Sequence, residues 1–147
     1  PARRLCCRPL ASTDYHRGFL EVLAQLTTVG EVDESAFFER FAAMKDSRAY
    51  YVVVVEDVAE RRIVAAATLF LEEKFIHSTG RMGHVEDVVV LASCRGRRLG
   101  KVLMEQLLHL ADRLSCYKVC LDCSEENRKF YETCGMEKKE LQMVRYL

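Results

Sequence analysis

The sequence has no apolar run long enough to span a bilayer. A crossing helix needs about 20 apolar residues, and the longest run here, Ile63–Leu71, has the length of a strand. Neither sign of charge is in excess, with 22 basic residues against 22 acidic ones. That balance argues against a broad nucleic-acid footprint, though it leaves room for a local basic pocket. Internal repeats, linkers and low-complexity tracts are missing, so nothing suggests a solenoid or a string of domains. A metal-ligand pattern is missing too. His77 and His84 have no third ligand at a sensible interval, and no metal is expected. Cys120 and Cys123 have C-x-x-C spacing, but no second pair matches it. A cysteine in the β-like run Val119-Cys120-Leu121 is more simply a small hydrophobe.

What is present is an ordinary globular composition. Half of the 147 residues are apolar and 30% are charged, enough for one core in a single domain over residues 1–147. The seven cysteines are an odd number and lie mostly inside apolar or helical runs. Reduced thiols in an intracellular, cytoplasmic protein fit this better than a disulfide scaffold. The last three residues, Arg145-Tyr146-Leu147, share only the Leu with a peroxisomal signal, which makes an organelle of that type the lesser expectation. The sequence opens on Pro1 rather than Met, so it is compatible with an upstream segment, including a targeting one.

Periodicity predicts a mixed α+β order. Leu5–Leu10 reads as a strand stopped by Pro9. Ser12-Thr13-Asp14 can cap a helix to about Leu26, and Asp33–Lys45 reads as a second helix. Strands are expected at Tyr50–Val58, Ile63–His77, His84–Leu91, Tyr117–Asp122 and Met136–Tyr146. Helices are expected from the basic turn to about Leu114, and over Glu125–Cys134, ended by Gly135.

The most informative stretch is the strand ending Val88-Val89-Val90-Leu91, followed by Arg95-Gly96-Arg97-Arg98-Leu99-Gly100-Lys101 and a helix. A helix N-terminus presents unpaired N–H groups and a positive dipole end, which together hold phosphate oxygens. Gly96 and Gly100 would let the backbone approach an anion, with Arg95, Arg97, Arg98 and Lys101 adding charge at the rim. The glycine spacing fits neither a Walker A loop nor G-x-G-x-x-G. This turn resembles the acetyl-CoA motif of the GNAT acetyltransferases, Gln/Arg-x-x-Gly-x-Gly/Ala, with Arg98 where that motif usually has Gly. Other segments are similar, in the same order, to the glucosamine 6-phosphate N-acetyltransferase family. They are Leu26-Thr-Thr-Val-Gly30, Lys74-Phe-Ile-His77, Gly83-His-Val-Glu-Asp-Val-Val-Val90, Cys116-Tyr-Lys118, Leu121-Asp-Cys123 and Asn127-Arg-Lys-Phe-Tyr131. The resemblance runs from about Leu5 to Arg145.

The resemblance implies a GNAT fold: a central mixed, mostly antiparallel sheet flanked by helices. It implies acetyl-CoA as co-substrate and acetyl transfer to the amine of D-glucosamine 6-phosphate, in the route to UDP-N-acetylglucosamine. Transfer would be by direct attack in a ternary complex, so proximity supplies much of the rate. No nucleophilic Cys is then needed, and no Cys/His arrangement stands out in the sequence. Glu86 and Asp87 are placed at the sugar and the reaction centre, and the Asp122 carbonyl is a second candidate to hold the amine. A backbone N–H near Val88 would stabilise the oxyanion if the sheet splays there. Tyr131 would protonate the departing thiolate. Val88, Val89, Val90, the Arg95–Lys101 turn, Asn127 and Tyr131 would line the CoA site. Thr27, Lys74, Phe75, Ile76, His77, Tyr117, Lys118 and Arg145 would contact the sugar phosphate. The family's C-terminal segment crosses a homodimer interface and completes the partner's site, which is expected here too. No nucleic-acid or membrane partner is expected. Two other readings fit the same fold: an acetyltransferase for a protein, peptide or polyamine amine, and a non-catalytic acyl-CoA-binding module.

Overall fold

A computed structural model describes residues 4–147; the first three residues of the expected domain lie outside the described ones. Five strands form one sheet in the order β1-β2-β3-β4-β5. They are β1 (Leu5–Pro9), β2 (Tyr50–Asp57), β3 (Arg62–Glu73), β4 (Arg81–Val90) and β5 (Cys116–Cys120). The first four are antiparallel neighbours, while β5 runs parallel to β4. A parallel neighbour requires a crossover, supplied here by α4 (Leu99–Arg113). The expected mixed, mostly antiparallel α+β sheet is what forms.

Alternation sorts the core. On β3, Ala65, Ala67, Leu69 and Leu71 share one face with Gly83 and Val85 of β4. An added Cβ on Gly83 would meet Ala111 of α4 at 3.7 Å, which places α4 on that face. Leu103, Met104 and Leu107 of α4 are fully buried there. A row crosses the other face, pairing Tyr50 with Phe70, Phe70 with His84, and His84 with Cys120.

Several boundaries differ from the sequence reading. The first predicted helix is a 3-10 turn, Ser12–Arg17, and a short α1 (Phe19–Leu23), divided by Gly18 at φ 82°. The cap also differs, because Asp14 reaches back to accept from the Ala11 amide at 2.8 Å. Helix α2 spans Glu34–Ser47, with the Asp33 carboxylate accepting from Ala36 N–H. β3 stops at Glu73 rather than His77, and the chain turns through α3 (Ile76–Thr79). Three consecutive residues there, His77, Ser78 and Thr79, lie at positive φ. The predicted helix over Glu125–Cys134 is a 3-10 turn, Glu125–Asn127, followed by α5 (Arg128–Thr133). The predicted closing strand over Met136–Tyr146 does not form. Among the described residues its alternating apolar residues have no neighbouring strand to pair with, and a strand needs one. Leu141, Met143, Val144 and Tyr146 are exposed instead.

Candidate active site

The centre of the site is a fault in β4. Thr68 faces Glu86 and Ala66 faces Val89, so Asp87 and Val88 together oppose Ala67. Two residues against one is a β-bulge, which bends the strand. Asp87 sits at φ 53° to make it, an uncommon conformation for a residue with a side chain. Pairing between β4 and β5 ends at His84–Cys120, so the two strands part beyond that point. The bulge, Glu86, Asp87 and the edge of Val88–Val90 follow the last paired residue directly. The splay that the oxyanion expectation required is therefore present.

The strand then leads into the basic turn. Gly96 lies at φ 78°, and Arg98, the N-cap of α4, lies at φ 61° and ψ 19°. The turn thus keeps the left-handed shape that glycine would adopt without strain. No side chain caps α4, so the first-turn amides of Leu99, Gly100 and Lys101 have no intrahelical acceptor. Arg95, Arg97 and Arg98 are exposed around them. Gly100 has a packing role besides the one its spacing suggested. A Cβ there would lie 3.0 Å from Cζ of Phe130, so its absence lets α5 pack on the start of α4. That contact positions Asn127 and Tyr131 relative to the turn.

Tyr131 is half-buried, its ring 4.9 Å from that of Phe130. Burial, then the neighbouring Cys123 and Cys134, hold its phenol above the ordinary value, so the proton is retained at neutral pH. Glu86 is also shifted upward, chiefly by burial, then by Asp87 and Asp122. Asp87 and Asp122 are thus near enough for their charges to act on Glu86. Asp122 Oδ2 accepts from Gln142 Nε2 at 2.8 Å.

Beside this group lies a second cluster. Glu72 accepts from Lys74 Nζ at 2.6 Å and pairs with His84 Nε2 at 2.9 Å. The His77 ring stacks on Tyr117 with centroids 4.0 Å apart, and Lys118 Nζ lies 6.0 Å from the Tyr117 ring. Gly80 carries no Cβ that would strike Tyr117 at 2.9 Å, which lets the left-handed turn close. Phe75 and Ile76 are exposed on that turn. Thr27 and Arg145 are exposed as well. A cavity of about 380 Å³ lined by Ser47, Arg48, Ala49, Tyr51, Leu71, Glu73 and Arg81 contains none of the sequence-nominated residues.

The sequence reading missed Phe130, Glu72 and the pairing of His84 with Cys120. The neighbouring glycine at 100 could have flagged Phe130, but the others depend on strand register. Among the described residues no group of three or more His, Cys, Asp or Glu is arranged to hold a metal ion. Among the described residues no helix is long and apolar enough to cross a membrane.

A bulged strand, a diverging parallel neighbour and an uncapped basic helix start occur together here. The Acetyltransferase (GNAT) family pattern matches residues 16–136. The chain belongs to the GNAT acetyltransferase family. Relatives at higher identity carry a narrower name. The chain is 45% identical to glucosamine 6-phosphate N-acetyltransferase 1 of Dictyostelium discoideum, covering 95% of this chain and 89% of that protein. It is 48% identical to a probable glucosamine 6-phosphate N-acetyltransferase of Drosophila melanogaster over 87% of this chain. It spans only 58% of that fly protein's length. The crystal structure of glucosamine-6-phosphate N-acetyltransferase from Arabidopsis thaliana superposes with a TM-score of 0.95 at 40% identity. That match covers 97% of this GNAT chain and 98% of the plant one.

Proposed function

We propose that this GNAT acetyltransferase moves acetyl from acetyl-CoA to the amine of D-glucosamine 6-phosphate, releasing N-acetyl-D-glucosamine 6-phosphate and CoA. The observation that carries the reading is the Asp87 bulge where β4 and β5 part, with Glu86 beside it and Asp122 two residues past the last paired residue of β5. The names borne by relatives such as the Dictyostelium protein support the choice of acceptor.

In this reading the pyrophosphate of CoA rests on the α4 N-terminus between Arg95 and Lys101, and the pantetheine arm lies along Val88, Val89 and Val90, with Asn127 beside it. The amine must be neutral to attack. Glu86, made more basic by its surroundings, takes its proton, directly or through water, while the Asp122 carbonyl and Asp87 hold the amine. The Val88 amide, turned by the bulge, donates to the carbonyl oxygen as charge builds there. Tyr131, still protonated, donates to the leaving sulfur. Thr27, Lys74, Phe75, Ile76, His77, Tyr117, Lys118 and Arg145 form the sugar-phosphate side. Thr27 and Arg145 are exposed within one chain, as they would be in a homodimer whose C-terminal segment completes the partner's site. The chemistry fits cytoplasmic supply of an amino sugar for UDP-N-acetylglucosamine, as one domain without a metal.

The test is thiol release from acetyl-CoA with glucosamine 6-phosphate, glucosamine and spermidine offered in parallel. Release with the phosphorylated sugar alone is the expected result. Equal release with glucosamine would overturn the phosphate site. Release with spermidine alone would replace the acceptor, and CoA binding without turnover would favour a non-catalytic module.

A further inference from the structure

Cys120 occupies the last paired position of β5, opposite His84, where the two strands begin to part. Its Sγ lies 3.3 Å from His84 Nδ1. The other ring nitrogen, Nε2, lies 2.9 Å from Glu72 Oε1. Glu72 is held in turn by Lys74 Nζ on its second oxygen, and the Phe70 ring flanks the imidazole at 5.6 Å. A carboxylate accepts only from a protonated nitrogen, so Glu72 fixes the hydrogen on Nε2 and leaves Nδ1 free to accept the thiol proton. A nucleophile, a base and a third group that orients the base form the arrangement that activates a weak nucleophile. Cys120 and its partner His84 stand two residues before Asp122 and Glu86 on their strands, which sets the thiol beside the proposed reaction centre. Burial keeps it protonated until a base takes the proton.

We propose that Cys120 is an internal acetyl acceptor, charged by acetyl-CoA when no amine occupies the cleft. This rests on the proposed use of acetyl-CoA. Cys120 Sγ attacks the thioester carbonyl carbon while its proton passes to His84 Nδ1. The bond from that carbon to the CoA sulfur breaks, and the proton leaves His84 for the departing thiolate. One thioester replaces another, so the step needs no oxidant or further reactant. The acetyl-Cys120 stands in the acceptor cleft and discharges slowly to water, which makes the chain a weak acetyl-CoA hydrolase when amine is scarce.

The full chain is incubated with acetyl-CoA alone, denatured, and weighed by intact-mass spectrometry. One acetyl group is expected, removed by neutral hydroxylamine as a thioester would be, and mapped to the Cys120 peptide. C120S should carry no hydroxylamine-labile acetyl. H84N should slow labelling about 100-fold, the scale of a lost general base, with its thermal midpoint and CoA affinity by calorimetry showing that it still folds and binds. E72Q should slow it less, because the tautomer is no longer fixed. A chain that acetylates an amine yet leaves Cys120 unlabelled would overturn the inference, as would an acetyl mapped to lysine or to another cysteine. Labelled Cys120 without acetylated sugar would uphold it and overturn the acceptor assignment alone.

Discussion

Glu86 and Asp87 adjoin in sequence, but the bulge gives them different surroundings. Sequence alternation alone would send one to each face. Asp87 takes positive φ, and Glu86 remains in register with Thr68. The proposed base must be ionised, so activity should fall as pH falls through the Glu86 pKa. That acid limb should begin at higher pH than for an ordinary carboxylate, because burial and Asp87 raise the value. E86Q should flatten the limb and lower kcat, as a pH–rate profile would show. Tyr131→Phe keeps the ring against Phe130 but removes the proton donor. A kcat loss of about 100-fold with little change in CoA affinity is expected, at the low end for general acid catalysis. Single-turnover kinetics would read it. These residues were nominated in the sequence through the family resemblance. The reason for their pKa shifts was not, since it depends on which side chains the register gathers.

The turn and the two helices that meet on it act as one element. Gly100 was readable as a phosphate-loop glycine, but its contact with Phe130 depends on tertiary packing that spacing cannot express. Gly100→Val should push the Phe130 ring away and carry Tyr131 with it, weakening CoA binding by calorimetry. It should also cost about 1–3 kcal/mol in chemical denaturation, as overpacking does. Phe130→Leu should recover part of that loss. Arg98 has the opposite prospect. A side chain in the left-handed region costs about 1–2 kcal/mol, so R98G should relieve strain and raise stability by up to about 1 kcal/mol while losing one charge at the rim. Denaturant midpoints with CoA titrations would separate the two effects. Strand and helix existence was largely legible from periodicity. Boundaries failed where the left-handed residues His77–Thr79 and the αL glycine Gly18 broke a run that composition alone would continue.

Across the whole molecule, a buried charge network joins the 3-10 turn to the sheet. Arg8 bonds both oxygens of Asp14 at 2.8 Å, and Glu56 accepts from Arg8 and Arg17 at the same distance. Burial pushes the Asp14 carboxyl up, but Arg8, the Ala11 amide and the charge of Arg17 outweigh it and leave the value below normal. The stability Asp14 contributes is therefore complete above the pKa it has when unfolded, and is lost as pH falls through its lower folded value. D14N should cost about 1–3 kcal/mol, because Arg8 loses the Asp14 carboxylate and keeps only Glu56 as its ionic partner, measured by urea unfolding near neutral pH. None of this network was visible in the sequence, where its members lie up to 48 positions apart. The exposed apolar tail makes a second prediction at this scale. Removing residues 141–147 should leave the sheet folded and shift the proposed dimer to monomer, read by light scattering.

The bulge also sets a counting rule for the chain. Before it, odd-numbered Val85 shares a face with Leu69; after it, odd-numbered Val89 shares the opposite face with Ala66. The extra residue reverses the parity of everything downstream in the strand. Losing Asp87 would restore simple one-to-one pairing and still leave Val89 opposite Ala66 and Val90 opposite Ala65, so only the bulge itself would go. A substitution here tests chemistry, whereas a single-residue deletion would straighten the strand, close the splay and leave both halves of the protein in frame.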